Sequence, residues 1–163
     1  APMKLLIVNG PNLNLLGERE PQIYGPRSYD DLCRLIYGHA QKTGCQVEIF
    51  QSNHEGTLID AIQASRAGYS GIVINPGAYA HYSYAIYDAL RCAPVPAVEV
   101  HISDIAAREP FRAVSVTAPA CVKTISGHGL EGYLEAMDYL LAHAPDAEKS
   151  AAPRCGCGGE ALV

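Results

Sequence analysis

M-K-L-L-I-V-N-G-P-N-L-N-L-L-G-E-R-E-P-Q-I-Y-G, residues 3–25, joins an apolar strand (3–8) to a long asparagine-rich loop that carries Arg19 and Tyr24. Connections in α/β units usually run about 2–6 residues. Here no helical pattern starts before Ser28, so the segment reads as an active-site loop rather than a simple turn. A phenol is a poor base near neutrality, but a guanidinium about 4 Å away favours the phenolate by roughly 4 kcal/mol at an effective dielectric near 20. Arg19 and Tyr24 in one loop therefore point towards acid–base chemistry.

Four more short, apolar, mostly β-branched runs follow at 46–50, 71–74, 97–100 and 121–125, as expected of strands buried on both faces. Between them Leu32, Leu35 and Ile36 recur at helical spacing, as do Leu58, Ile59 and Ile62, then Ala85, Ile86 and Leu90. Leu134, Met137 and Leu141 end the pattern with a last helix. Strand alternating with helix implies right-handed βαβ units and a parallel sheet covered on both faces. The predicted architecture is α/β: a flavodoxin-like three-layer sandwich with a five-stranded parallel sheet of order 2-1-3-4-5. Residues 1–145 are expected to form a single catalytic domain, and 146–163, rich in Pro, Ala, Gly and Ser, a disordered C-terminal tail.

With 163 residues the chain can bury a sizeable core as one domain. Its 48% hydrophobic content and mean hydropathy of +0.02 fit a soluble globular protein. No apolar run nears the ~18 residues of a membrane span and no secretory leader pattern is seen, so the expectation is a cytoplasmic protein with no membrane partner. A net charge of −5, with no Lys/Arg cluster, argues against nucleic acid as a partner. Cys33, Cys45, Cys92 and Cys121 fall singly in or beside apolar segments and are read as reduced packing residues. Cys155 and Cys157, in C-G-C-G-G, lack the further ligands a metal site needs, so no metal is expected there.

Ligands of such a sheet bind beyond the carboxyl ends of its strands. Those positions are polar here: Asn9, Asn12, Arg19 and Tyr24 after the first strand; Asn53, His54 and Glu55 after the second; Asn75 to His81 after the third. The fourth carries Glu99, His101 and Ser103, with Arg108 and Arg112 close behind. Such convergence suits a small polar ligand. No G-x-G-x-x-G follows the first strand and no G-x-x-x-x-G-K-[ST] occurs, so a phosphate cradle is excluded. No cysteine sits at a strand end, Lys4 opens the sheet at its wrong end and Lys123 lies within the fifth run, which disfavours thiolate and imine chemistry. Acid–base chemistry on an oxygenated substrate with cationic anchors remains.

Five motifs carry a family resemblance. They are N-G-P-N-L-N-L-L-G-x-R-x-P-x-I-Y-G (9–25), Q-S-N-H-E-G (51–56), I-N-P-G-A-Y-x-H (74–81), E-V-H-I-S (99–103) and R-E-P-F-R (108–112). In this order and spacing they resemble the type II 3-dehydroquinate dehydratases, over residues 4–143. The resemblance implies dehydration of 3-dehydroquinate to 3-dehydroshikimate through an enolate, with no metal or organic cofactor, in the shikimate pathway or in quinate catabolism. It also implies a homododecamer, a tetramer of trimers.

By the same resemblance, Tyr24 is the base that takes a proton from C2 and Arg19 keeps it ionised. Asn12 helps hold a water against the enolate, and His101 protonates the departing C1 hydroxyl. Glu99, two residues away on the same strand face, orients the His101 ring. Asn75, His81, Asp88, Ile102, Ser103 and Arg112 match the family's substrate contacts: Ile102 and Ser103 through backbone N–H groups to the carboxylate, and His81, Asp88 and Arg112 towards the ring hydroxyls. Two positions depart from the pattern: Tyr82 stands where Thr is frequent, and Asp104 where Asn is frequent, placing negative charge beside the carboxylate-binding turn. The rival reading is a non-catalytic flavodoxin-like binding module for a hydroxylated carboxylate, which would need no base and acid pair.

Overall fold

The structure is a computed structural model and describes residues 2–143; the tail with Cys155 and Cys157 lies outside the described residues. Five strands, β1 (Lys4–Asn9), β2 (Gln46–Gln51), β3 (Gly71–Asn75), β4 (Ala97–His101) and β5 (Lys123–Ser126), pair in parallel in the order β2-β1-β3-β4-β5. This is the predicted flavodoxin-like topology. Helices α1 (Pro21–Tyr24), α2 (Tyr29–Thr43), α3 (Glu55–Ala64), α4 (Tyr84–Cys92) and α5 (Glu131–His143) connect or follow the strands.

Alternation along β1 builds both halves of the core. Leu5 and Ile7 face one way, onto Leu32 and Ile36 of α2 and Tyr133, Ala136, Met137 and Leu140 of α5. Leu6 and Val8 face the other way, onto Leu58 and Ile62 of α3 and Ile86 and Leu90 of α4. Burying each such Leu or Ile side chain is worth about 1.5–3 kcal/mol, so the two clusters hold the three layers together.

The β1 register brings Asn9 beside Gln51 of β2 and Asn75 of β3, so the carboxyl ends of three strands lie level. Gly10 extends the ladder through its N–H to the Asn75 carbonyl, 2.8 Å away. A Cβ at Gly10 would lie 2.5 Å from the Pro76 carbonyl oxygen, so the two strand-end loops touch backbone to backbone.

Two expectations need correcting. The stretch before Ser28 is not free of helix: a 3-10 turn spans Leu13–Leu15 and α1 spans Pro21–Tyr24. Pro21 starts α1 because its missing N–H costs nothing at a first helical position. The fifth strand starts at Lys123 rather than at Cys121. Pro119 holds a 3-10 turn, Ala118–Ala120, whose closing bond runs from the Cys121 N–H to the Ala118 carbonyl, so pairing begins later. Cys33, Cys45 and Cys121 are free thiols, partly rather than fully buried.

A buried relay lies beneath the strand ends. Asn75 Nδ2 donates to the Tyr133 hydroxyl at 3.0 Å, that hydroxyl donates to Asn9 Oδ1 at 2.6 Å, and Asn9 Nδ2 donates to the Tyr29 hydroxyl at 3.4 Å. Tyr133 is fully buried, and burial pushes its phenol well above the ordinary range, so it stays a neutral donor and acceptor. Tyr133→Phe keeps the ring and strands two buried amide groups, each costing about 1–3 kcal/mol. Thermal or urea unfolding should show a loss of a few kcal/mol. An unchanged midpoint would mean that water replaces the hydroxyl.

Candidate active site

A cleft at the carboxyl ends of β1, β3 and β4 encloses about 480 Å³, its open mouth included. Asn12, Arg19, Tyr24, Asn75, His81, His101, Ile102, Ser103 and Arg112 all line it. Arg108 lines it too.

The loop after β1 is built to keep its shape. Asn12 adopts a left-handed conformation (φ 68°), and its backbone N–H donates to Asn53 Oδ1 at 3.0 Å. Leu13 and Leu16 are buried in the core cluster, with Tyr24 packed against it. Gly17 (φ +86°) leaves no room for a side chain, because a Cβ would lie within 3.3 Å of the backbone of Pro26, Arg27 and Ser28. Just beyond, Arg27 grips Glu131 of α5 with two hydrogen bonds of 2.8 Å, and Ser28 caps α2 in a reciprocal box with Asp31. Arg19 and Tyr24 are thus carried on a segment anchored at both ends.

The cation on the Tyr24 hydroxyl is Arg108. Its Nη1 donates to the Tyr24 oxygen at 2.7 Å and to Ser103 Oγ at 3.4 Å. Arg19 meets the ring, as Arg108 also does, each guanidinium carbon 5.1 Å from the ring centroid, and Arg19 Nε is 3.6 Å from Glu20. The sequence points to Arg19 as the cation at the phenol oxygen, whereas the hydrogen bond to that oxygen comes from Arg108, 84 positions away.

His101, at the end of β4 and also lining the cleft, donates Nε2–H to Glu99 Oε2 at 2.8 Å, which leaves Nδ1 as the ring nitrogen outside that bond. Glu99 is fully buried behind the ring and does not line the cleft. Burial raises its proton affinity, but hydrogen bonds and charge from His101, with the Thr117 and Ser115 hydroxyls, outweigh it and bring the carboxyl below its ordinary range. His81 donates Nδ1–H to the Val114 carbonyl at 2.9 Å, and its ring lies 6.3 Å from that of His101. Arg112 Nε donates to Glu109 Oε2 at 2.8 Å, holding its guanidinium at the rim. Asn75 Oδ1 accepts from the Gly77 N–H at 3.1 Å, so its amide orientation is set from two sides.

Asp88 is not brought to this cleft. It sits on the exposed side of α4, opposite Ile86, Ala89 and Leu90, which face the core. Asp104 caps the 3-10 turn after β4, its Oδ1 accepting from the Ala106 N–H at 3.1 Å, and Tyr82 is 61% exposed. Among the described residues no group of three or more His, Cys, Asp or Glu is arranged around a common metal position.

The model of the family Dehydroquinase class II matches residues 3–141. The chain belongs to the class II dehydroquinase family. It is therefore an enzyme of the hydro-lyase class. Its similarity to the 3-dehydroquinate dehydratase of Thermotoga neapolitana is 54% identity over 147 residues, covering 90% of this chain and all of that one. With the 3-dehydroquinate dehydratase of Caldicellulosiruptor bescii it shares 56% identity over 144 residues, covering 88% and 99%. The crystal structure of a type II dehydroquinase from Butyrivibrio crossotus superposes with a TM-score of 0.85 at 52% identity, covering 86% of this chain and 98% of that one.

For this dehydroquinase, sequence reasoning passed over three residues. Arg108 stands in the R-E-P-F-R motif without an assigned task, although its place after a strand end singles it out. Ser115 and Thr117 occur in an irregular segment with no periodic pattern, and nothing in the sequence brings them to Glu99.

Proposed function

We propose that this dehydroquinase converts 3-dehydroquinate to 3-dehydroshikimate and water by acid–base elimination. The Tyr24 phenolate removes a proton from C2, and the C–H electron pair forms an enolate across C2 and C3. The enolate oxygen is steadied by a water that Asn12 helps to hold. The enolate then collapses to a C1–C2 double bond, expelling the C1 hydroxyl, which takes its proton from His101 and leaves as water. Arg108 donates a hydrogen bond to the Tyr24 oxygen, Arg19 covers its ring, and Glu99 orients His101. Asn75, His81, Ile102, Ser103 and Arg112 hold the substrate. The reaction needs no metal and no organic cofactor.

The observation that carries this reading is a base and an acid lining one cleft, each with its own buried or half-buried counter-group: Arg108 on Tyr24 and Glu99 on His101. A pure binding module needs neither pair. Adding 3-dehydroquinate should give the ultraviolet absorbance of a conjugated enone, and activity should survive exhaustive chelation. Borohydride added with substrate should neither inactivate the enzyme nor add mass to it. Binding without absorbance change would favour the binding module, and a trapped lysine adduct would sink the enolate.

The same reading places the enzyme in the cytoplasm, serving the shikimate pathway or quinate catabolism, as one catalytic domain over residues 1–145. Cys33, Cys45 and Cys121, free thiols among the described residues, fit a reducing compartment. No described helix is long and apolar enough to cross a membrane. The assembly is a homododecamer of four trimers. Asp88 shares the exposed side of α4 with Tyr84, 69% exposed, and does not line the cleft of its own subunit; in that assembly we assign it to a neighbouring subunit's cleft. Light scattering at micromolar concentration tests the assembly; a stable monomer with full activity would remove Asp88 from the site.

A further inference from the structure

We propose that Ser115 and Thr117 are positioning residues, whose hydroxyls hold the buried Glu99 carboxylate in the orientation that the His101 ring requires. The inference rests on His101 being the acid of the proposed reaction. Glu99 has no exposed surface, and an ionised carboxylate there has about four lone-pair sites to satisfy. Thr117 Oγ1–H donates to Oε1, while Ser115 Oγ–H at 2.7 Å and His101 Nε2–H at 2.8 Å donate to Oε2. Each oxygen is therefore fixed by a hydroxyl, and the carboxylate plane cannot turn away from the imidazole without breaking two bonds.

The hydroxyls are themselves placed by one strap, residues 114–117. The Val116 N–H donates to the Ala80 carbonyl at 2.7 Å, and its neighbours Ser115 and Thr117 both reach Glu99 from the same side. The Ala118 N–H donates to Ser115 Oγ at 3.1 Å, which leaves the Ser115 proton to point at the carboxylate. The same strap receives His81 through the Val114 carbonyl. One short segment thus sets the orientation of both histidines of the cleft.

The titratable groups bearing on Glu99 are His101 in front and Cys121 behind it, whose thiol is pushed up by burial and then by the Glu99 charge. His81, Tyr24, Arg108 and Arg112 lie beyond His101 around the cleft. A carboxyl held below its ordinary range keeps its charge as pH falls, and loses it only when pH passes through the depressed value. Removing a hydroxyl donor lessens the depression, so the charge is lost at higher pH.

The test compares Thr117→Val, Thr117→Ser and Ser115→Ala with the unmodified protein in two measurements. Thr117→Val should move the acid limb of the kcat profile up by about one pH unit, an about tenfold loss on that limb, with KM nearly constant. In the ligand-free protein, the carboxyl ¹³C resonance of Glu99 should titrate at correspondingly higher pH. Thr117→Ser should restore both readings, and Ser115→Ala should shift both in the same direction. An acid limb and a Glu99 resonance unmoved in Thr117→Val and Ser115→Ala would overturn the proposal, as would a loss confined to KM or a Thr117→Ser variant as impaired as Thr117→Val. If Thr117→Val does not fold, Ser115→Ala decides by the same readings. The resonance needs no turnover, so a protein inactive on 3-dehydroquinate would sink the proposed reaction and leave this inference to be judged separately.

Discussion

Tyr24→Phe is expected to lower kcat by about 10²–10⁴-fold, the usual worth of a positioned general base, while the substrate still binds. The ring of Tyr24 packs against the cluster that contains Leu13 and Leu16, and phenylalanine fills the same space. What disappears is the oxygen that accepts from Arg108 at 2.7 Å. Steady-state rates give the first quantity, and calorimetric titration with substrate the second. Near-normal turnover would remove Tyr24 from the chemistry, whereas a fold change visible by circular dichroism would invalidate the comparison.

Arg108→Met should lower kcat by about 10²–10³-fold, the scale of losing one preorganised electrostatic donor. Methionine keeps much of the apolar stem and removes the charge together with the bonds to Tyr24 and Ser103. If the guanidinium acts through the phenol, Tyr24→Phe with Arg108→Met should be hardly slower than Tyr24→Phe alone, because residues that work as a unit do not add. Losses that multiply would mean that Arg108 acts on the substrate directly. Arg108→Lys should rescue only in part, since it restores the charge without the rigid planar group that aims Nη1 at Tyr24 and Ser103. Arg19→Ala should cost less than Arg108→Met, because Arg19 meets the aromatic face rather than the oxygen.

The sheet was legible because each strand is a short β-branched run and each helix carries an apolar stripe, both of which are local properties. The order of strands came with the doubly wound parallel architecture, which in its flavodoxin-like form runs 2-1-3-4-5. Cleft residues were legible for a related reason: in a parallel sheet they must follow strand ends, as Asn75, His101 and Ser103 do. Local pattern failed where geometry is set by contact between distant segments. Arg19 is five positions from Tyr24 and invites pairing with its oxygen, yet a four-residue helix beginning at Pro21 turns the tyrosine towards Arg108. Ser115 and Thr117 sit between two 3-10 turns and reach Glu99 only because Val116 pairs with Ala80. Asp88 could have been placed from the sequence alone: Ile86, Ala89 and Leu90 define the inner side of α4, and Asp88 is out of phase with them.

The contact of Gly10 with Pro76 bears on how this enzyme could be redesigned. Two of the cleft's three walls meet at that seam, so any larger residue at Gly10 would force the loop after β1 away from Asn75 and Pro76. The wall formed by residues 103–113 is different: it is assembled from short turns, and Ile105, Arg108 and Arg112 project from it into the cleft. A library seeking altered substrate range should therefore diversify Ile105 and the rim around Arg112, holding the seam constant. Retained folding with shifted selectivity would be the expected yield from that wall, and loss of soluble protein from the seam.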